Sequence, residues 1–164
     1  MLGLDFSKIQ GNPVRIAWDR LHRLPGGKAL FSKVIGETAP YTGTLRASVE
    51  ELRGGHAVVS VTPRRKLTNH LNSMHAIALI NLGEMCTGVA VMYSMPGSMR
   101  GIPVYLGMEY VKKARGVIRA TCDVPPVREG ETYQEEVVAE LRDERGDVVA
   151  RFRAEWQLSP KVGR

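Results

Sequence analysis

The residues with the clearest capacity for chemistry lie in one stretch, Asn69–Val91 (NHLNSMHAIALINLGEMCTGVAV), where polar side chains interrupt an apolar run. From Met74 to Val91 most positions are hydrophobic or small, the composition of a nearly fully buried helix. The run nonetheless carries His75, Asn81 and Glu84. Burying a carboxylate without partners is costly, so a core helix that keeps one has a use for it. Glu84 has the chemistry to activate a water molecule or to attack an electrophile directly. The helix start, at about Ser73–Ala76, supplies unsatisfied N–H groups and the positive end of the helix dipole. Negative charge developing on a carbonyl oxygen suits such donors, and Asn69 offers a further side-chain N–H. The candidate catalytic residues are therefore Glu84, Asn69, Ala76 through its backbone, and His75.

Geometry limits how these groups combine. Ala76 and Glu84 are separated by about 12 Å along one helix and point about 80° apart. One carbonyl cannot meet both on the same chain. If both act, Glu84 comes from a second subunit whose helix runs antiparallel beside the first, which predicts a homodimer with two interfacial sites. Each residue also has a second use. Asn69 and Asn72 serve equally as helix caps, His75 as a structural residue at the helix start, and Asn81, three residues before Glu84, as a group that orients the carboxylate. Gly88 permits a close helix contact, and Met74, Met85 and Met92 suit a core or a flexible tunnel.

The elements that must hold this helix follow from period and punctuation. Asn12-Pro13 caps a helix over Val14–Leu24 that Pro25-Gly26-Gly27 ends. A second short helix, about Lys28–Ile35, precedes a loop containing Pro40. Both read as a decoration on the main body. From Thr44 the period becomes two: Leu45, Ala47 and Val49 alternate with Arg46, Ser48 and Glu50. Arg53-Gly54-Gly55-His56 forms a hairpin turn into a strand at His56–Thr62. After the apolar helix come strands at Ile102–Val111, Gly116–Val124, Tyr133–Arg142 and Val148–Leu158. The last has the cleanest alternation, with Ala150, Phe152, Ala154, Trp156 and Leu158 inward. The expected class is α+β: an antiparallel sheet, curved around one long central helix, with extra N-terminal helices.

Length and composition narrow the function classes. The 164 residues fit a single domain, with a helical extension at 1–43 and a core at 44–158. Cys86 and Cys122 match no metal spacing and no CxxC, so no metal site is expected. The N-terminus lacks a basic start followed by an apolar core, which predicts no secretion signal and a cytoplasmic protein. The run Met74–Tyr93 is long enough to span a bilayer, but Glu84, His75 and Asn81 argue against a membrane span. A net charge of +6 favours anionic partners in general. No arginine-rich tract, RNA-binding motif or zinc-finger spacing points to nucleic acid.

The stretch from Asn69 resembles the hotdog-fold acyl-CoA thioesterases, particularly those related to the phenylacetate-pathway enzymes. That group shows Asn-x-x-Gly-x-x-His-Gly-Gly followed by a carboxylate nine residues after the histidine. This chain reads Asn69-His70-Leu71-Asn72-Ser73-Met74-His75-Ala76-Ile77, with Glu84 nine residues after His75. The resemblance covers Thr44–Leu158 and implies a hotdog fold and hydrolysis of an acyl-CoA. Coenzyme A then enters only as part of the substrate, with no separate cofactor. It also implies a homodimer, with a dimer of dimers as the alternative assembly. The chain departs from the pattern at Asn72 and at Ala76-Ile77, which replace glycines, and at Glu84, which replaces aspartate. Expected substrate-binding residues are Asn72, Ile77 and Asn81 beside the carbonyl. The basic Arg64, Arg65, Lys112, Lys113 and Arg115 are placed to hold coenzyme A phosphates or to form a solvated face. A non-catalytic acyl-CoA-binding module is the competing expectation, because Ile77 narrows the approach to the donors. A hotdog dehydratase is a weaker alternative, since its His-with-Asp/Glu pair is absent.

Overall fold

Residues 11–162 are described by a computed structural model of the protein. The first ten residues, on which the expectation of no secretion signal partly rests, lie outside them. The helices are α1 (Pro13–Leu21), α2 (Gly27–Thr38), α3 (Pro40–Gly43) and α4 (Ala76–Ser94). The strands are β1 (Ser48–Arg53), β2 (His56–Val61), β3 (Met99–Tyr110), β4 (Ile118–Asp123), β5 (Tyr133–Arg142) and β6 (Val148–Pro160). They form one antiparallel sheet in the order β1-β2-β4-β5-β6-β3. The α4 connection carries the chain across the sheet, from β2 to the far edge at β3. The α+β architecture, a curved sheet around one central helix, is as expected.

Period-two patterning decides which face of the sheet is buried. On β6, Phe152, Ala154, Trp156 and Leu158 are buried while Arg151 and Arg153 are exposed. On β4, Ile118, Ala120 and Cys122 point the same way. Against this face lies α4, which touches all six strands. Its apolar length would suit a bilayer, but here it is the core helix. Gly83 sets the depth of the packing. A Cβ there would fall 2.3 Å from Phe152 Cγ and 2.6 Å from its Cβ, so only glycine lets the helix lie this close. The Cys86 and Cys122 thiols meet across the same interface, 3.6 Å apart and both buried. Their hydrogen bond, and then burial, push the Cys86 thiol well above its ordinary value.

The N-terminal helices are more than decoration. Trp18 and Phe31 are buried in the common core, edge-to-face at 5.0 Å between centroids. Asn12 caps α1 as expected, accepting from Arg15 N–H at 3.0 Å. Its amide also donates to the Met92, Tyr93 and Met95 carbonyls, at 2.6, 3.0 and 2.7 Å. Arg15 adds Nε to Tyr93 O and Nη2 to Ser94 O. Together they satisfy carbonyls that the end of α4 would otherwise leave open. On the other flank, Ser32 of α2 donates to Lys28 O at 2.7 Å and accepts from Val49 N at 2.9 Å. That bond covers the β1 edge where its register shifts between Val49 and Glu51.

Several boundaries differ from expectation for local reasons. Leu45 and Ala47 are buried as predicted, but β1 begins only at Ser48 because Arg46 takes a left-handed φ of 51°. Helix α1 stops at Leu21, and α2 runs on to Thr38. The loop containing Pro40 is the one-turn helix α3, with proline at its first position. It crosses α2 closely: a Cβ on Gly43 would lie 2.3 Å from Gly36 O. The start of β3 falls at Met99 rather than Ile102, β4 begins at Ile118 rather than Gly116, and β6 reaches Pro160.

Two substitutions test this packing by urea unfolding. Ser32→Ala leaves the buried Val49 N–H without an acceptor and is expected to cost about 1–3 kcal/mol. Gly83→Ala improves helix propensity yet drives a methyl into Phe152, and is expected to destabilise by about 1–3 kcal/mol. An unchanged or raised midpoint for Gly83→Ala would contradict the close contact.

Candidate functional site

The segment before α4 is a tightly bonded loop, and its sequence explains its shape. The Asn69 carboxamide oxygen accepts from Leu71 N at 2.9 Å and Ser73 N at 3.3 Å. Asn69 N–H bonds Ser73 O, closing the loop. Asn72 sits at a φ of 51°, the left-handed region, which asparagine tolerates better than most residues. This position is glycine in the resembled motif, and glycine adopts such a φ without steric cost. The loop is pinned to the β3–β4 connection by Met74 N to Ala114 O, Ser73 Oγ to Ala114 O, and Arg115 to the Leu71 and Asn72 carbonyls.

At the start of α4, His75 is the N-cap. Its Nδ1 accepts from Ile77 N at 3.1 Å, which puts the neutral ring's proton on Nε2. His75 thus shapes the helix start. The Leu79 N–H goes to His75 O. Among the described residues the Ala76 and Ala78 N–H groups have no acceptor. These two donors, not Ile77, remain for an anionic oxygen. The Ile77 side chain is 49% exposed beside them. Tyr110 of β3 donates to Ala76 O at 3.1 Å and braces this turn against the sheet edge.

Glu84 lies two turns along α4, half-buried. Burial raises its carboxyl above the usual carboxylate range, and a hydrogen bond from Thr42 partly opposes this. Thr42 Oγ1 lies 3.5 Å from Glu84 Oε2, and Asn81 Nδ2 lies 3.5 Å from Tyr41 O. Asn81 therefore reaches α3, and the group that contacts Glu84 is Thr42. Nothing in the local sequence marked Thr42, because α3 itself was not foreseen. Between Ile77 and Val91, the residues of α4 that are not buried are Ile77, Ile80, Glu84 and Gly88, a partly open stripe. Thr42 meets it at Glu84, Tyr110 bonds the Ala76 carbonyl at its start, and Trp156 lies against Gly88.

The five basic residues divide by their bonds. Arg64 donates to the Leu45 and Thr44 carbonyls and fixes the entry to β1. Lys112 pairs with Asp143 at 2.8 Å and Asp147 at 2.6 Å, and those bonds raise its pKa. Arg115 holds the loop before α4. Arg65 and Lys113 are exposed and make no ion pair among the described residues. The structure thus gives structural work to three of the five and leaves two toward solvent.

The ends of the sheet are unequal. The β1 edge is covered by α2, through Ser32 and through Lys28 Nζ to Glu50 O. Among the described residues the edge strand β3 pairs only with β6, and it runs twelve residues. It exposes Ile102, Val104, Tyr105, Leu106 and Tyr110.

Comparison with known proteins places this architecture. Residues 27–158 match the model of a domain of unknown function (DUF4442), so the family's region includes α2 and α3 with the sheet. The structural-genomics protein APC5556 superimposes with a TM-score of 0.77 at 29% identity, covering 90% of this chain and 98% of that one. A Pseudomonas aeruginosa protein of unknown function and probable thioesterase, PA5026, gives 0.73 at 24%, covering 84% and 97%. An Asn-to-Asp variant of the phenylacetic acid degradation protein PaaI from Thermus thermophilus gives 0.62 at 18%, covering 72% and 97%. No curated protein sequence matches. The chain belongs to the DUF4442 family, and its architecture is the hotdog fold of the thioesterase-like proteins.

Proposed function

We propose that this protein is a cytoplasmic thioesterase that hydrolyses an acyl-CoA as a homodimer. The observation that carries the reading is Glu84, a carboxylate kept half-buried on the core helix with its pKa raised by burial. That shift brings a general base closer to neutral pH, where it is most useful. The free Ala76 and Ala78 N–H groups supply the complementary half, at the positive end of the helix. Ionised Glu84 takes a proton from water, the hydroxide adds to the thioester carbon, and the oxyanion rests on the helix-start donors. Collapse breaks the C–S bond, and the proton on Glu84 returns to the thiolate. No separate cofactor is required. Arg65 and Lys113 are the basic residues available to the phosphates of coenzyme A.

The donors at Ala78 and Ala76 lie about 9 and about 12 Å from Glu84 along a straight helix, so one site draws donors from one chain and Glu84 from its partner. The open β3 edge supports this assembly. A long strand with one open edge and exposed apolar side chains is otherwise an aggregation hazard, and antiparallel pairing with a second copy removes it. Pairing of such dimers into a tetramer is compatible with the same reading. The second reading is a non-catalytic acyl-CoA-binding protein. It is favoured by Ile77, whose N–H is taken by His75 and whose side chain stands beside the free donors.

The test is free-thiol release from a panel of acyl-CoAs. Glu84→Gln is expected to lower kcat by about 10²–10⁴-fold with the dimer intact. Unchanged turnover in a folded Glu84→Gln protein rejects the catalytic role. Binding without thiol release in the wild type supports the second reading. The raised pKa adds a stability test. A carboxyl whose folded pKa lies above its unfolded value stabilises the protein below the unfolded pKa, and that contribution is lost as pH rises through the folded pKa. At pH 7 the wild type therefore carries a penalty that Glu84→Gln lacks. The variant is expected to have the higher Tm at pH 7, with the difference vanishing below the ordinary carboxyl value of 4.5.

A further inference from the structure

Thr38, Thr44, Thr68 and Thr87 each donate their hydroxyl proton to a backbone carbonyl three or four residues back, on Val34, Tyr41, Arg65 and Glu84. That is the ordinary outlet for a threonine hydroxyl in a helix or turn. Thr42, on the helical turn α3, does otherwise. Its Oγ1 reaches Glu84 Oε2, 3.5 Å away and 42 residues on in the chain. Hydrogen bonds at catalytic groups are often this long before substrate arrives.

The turn that presents Thr42 is held from several directions. Pro40 opens it with φ already fixed. On the α2 side, a Cβ on Gly43 would fall 2.3 Å from Gly36 O and one on Gly36 would fall 3.0 Å from Gly43 Cα, so the pair lets two backbones meet. On the α4 side Asn81, buried one turn before Glu84, directs Nδ2 toward Tyr41 O at 3.5 Å. A glutamate side chain alone has three free torsions and no fixed direction. Here Oε2 is engaged by Thr42, while Oε1 lies on the Gly88 side, 3.9 Å from the position a Cβ there would take. Among the described residues Oε1 has no donor, and the buried side-chain N and O atoms without a partner are Arg64 Nε and Trp156 Nε1 alone. Oε1 therefore keeps contact with solvent. One oxygen of the carboxylate is held and the other is accessible.

We propose that Thr42 is a positioning residue for Glu84: its hydroxyl donates to Oε2, orients the carboxylate and leaves Oε1 as the oxygen that takes the proton from water. The inference rests on the thioesterase reading and adds to it a working part from the N-terminal helices. Thr42 acts through the carboxylate. A donor to the charged form also favours ionisation, and this one opposes the burial that raises the Glu84 carboxyl. Burial and the Thr42 bond are the causes of that shift, and no charged group is among them. The titratable group of α3 is the exposed Tyr41, and Cys122 is the ionisable side chain on the buried face of the sheet. On α4 itself Cys86 bonds Cys122 and Tyr93 bonds Asp19. In the proposed dimer the other chain's helix start adds His75, braced by Tyr110.

Because that histidine would stand at the same site, the carboxyl is followed directly. Wild type, Thr42→Val and Thr42→Ser are titrated by carbon NMR with label at the glutamate δ-carbon, and the resonance missing from Glu84→Gln identifies Glu84. Thiol release from the acyl-CoA panel is measured over the same pH range. Thr42→Val removes the donor with little change of shape, and is expected to raise the Glu84 titration and the acid limb of kcat by about half to one pH unit. On the plateau above that limb, kcat is expected to stay about three- to tenfold below wild type with KM changed by less than about twofold. Thr42→Ser keeps the hydroxyl and is expected to restore both. A Thr42→Val profile that superimposes on wild type, or a Thr42→Ser as impaired as Thr42→Val, overturns the positioning role and leaves Glu84-dependent hydrolysis standing. Absence of thiol release in the wild type removes the hydrolytic reading instead. The NMR titration then decides the Thr42 bond, which is supported if Thr42→Val moves Glu84 and overturned if it does not.

Discussion

The contact between Gly83 and the Phe152 ring is the constraint on which the other features depend. It lets α4 sink onto the sheet far enough to touch all six strands. At that depth most of the helix is covered, and an almost uniformly apolar sequence becomes an asset rather than a liability. One stripe, Ile77–Ile80–Glu84–Gly88, stays partly open. The polar chemistry is confined to that stripe because the packing of Gly83 fixes which face of the helix is spent on the core.

The two ends of α4 are treated differently. Its carbonyl end is closed by Asn12 and Arg15, which together supply five hydrogen bonds to Met92, Tyr93, Ser94 and Met95. Its amide end is closed only in part, by His75 on Ile77, with Ala76 and Ala78 left as donors among the described residues. A helix end without acceptors is an anion site in waiting. The loop that presents it is held by Asn69, Ser73, Arg115 and Ala114, so the donors are fixed in place before any ligand arrives. Preorganisation of that kind is what electrostatic stabilisation of an oxyanion needs.

Much of the fold was legible because it is written in periodicity. The alternation through Ala150, Phe152, Ala154 and Trp156, and the apolar run of α4, each report burial directly. The start of β1 was misplaced because a left-handed Arg46 leaves Leu45 and Ala47 buried without extending the strand. Period-two burial and strand pairing are separable, and sequence shows only the first. The site was legible as residue types, with Glu84 and the helix start marked by the cost of polar groups in an apolar run. Its partners were not. Thr42 reaches Glu84 through a one-turn helix whose place depends on the Gly36–Gly43 crossing, a tertiary contact between residues in different elements. Lys112 looked like a phosphate ligand because Asp143 and Asp147, which pair with it, lie on a distant turn.

Sequences that fold well agree with themselves at each level, and exceptions mark places where something besides folding is selected. In this chain such exceptions fall in more than one place: Arg46 takes a left-handed φ of 51°, Arg64 Nε is buried without a partner among the described residues, and others lie along α4. Glu84 is held where burial disfavours its charge, Gly88 weakens the helix without a packing reason, and the Trp156 indole N–H is buried unpaired beside them. The opposite face of the same helix shows the contrast. There the glycine is required by Phe152, and Cys86 bonds Cys122 and the Ala120 carbonyl. Of these exceptions, Glu84 is the one whose cost comes with a chemical use, which is why the proposed site is built on it.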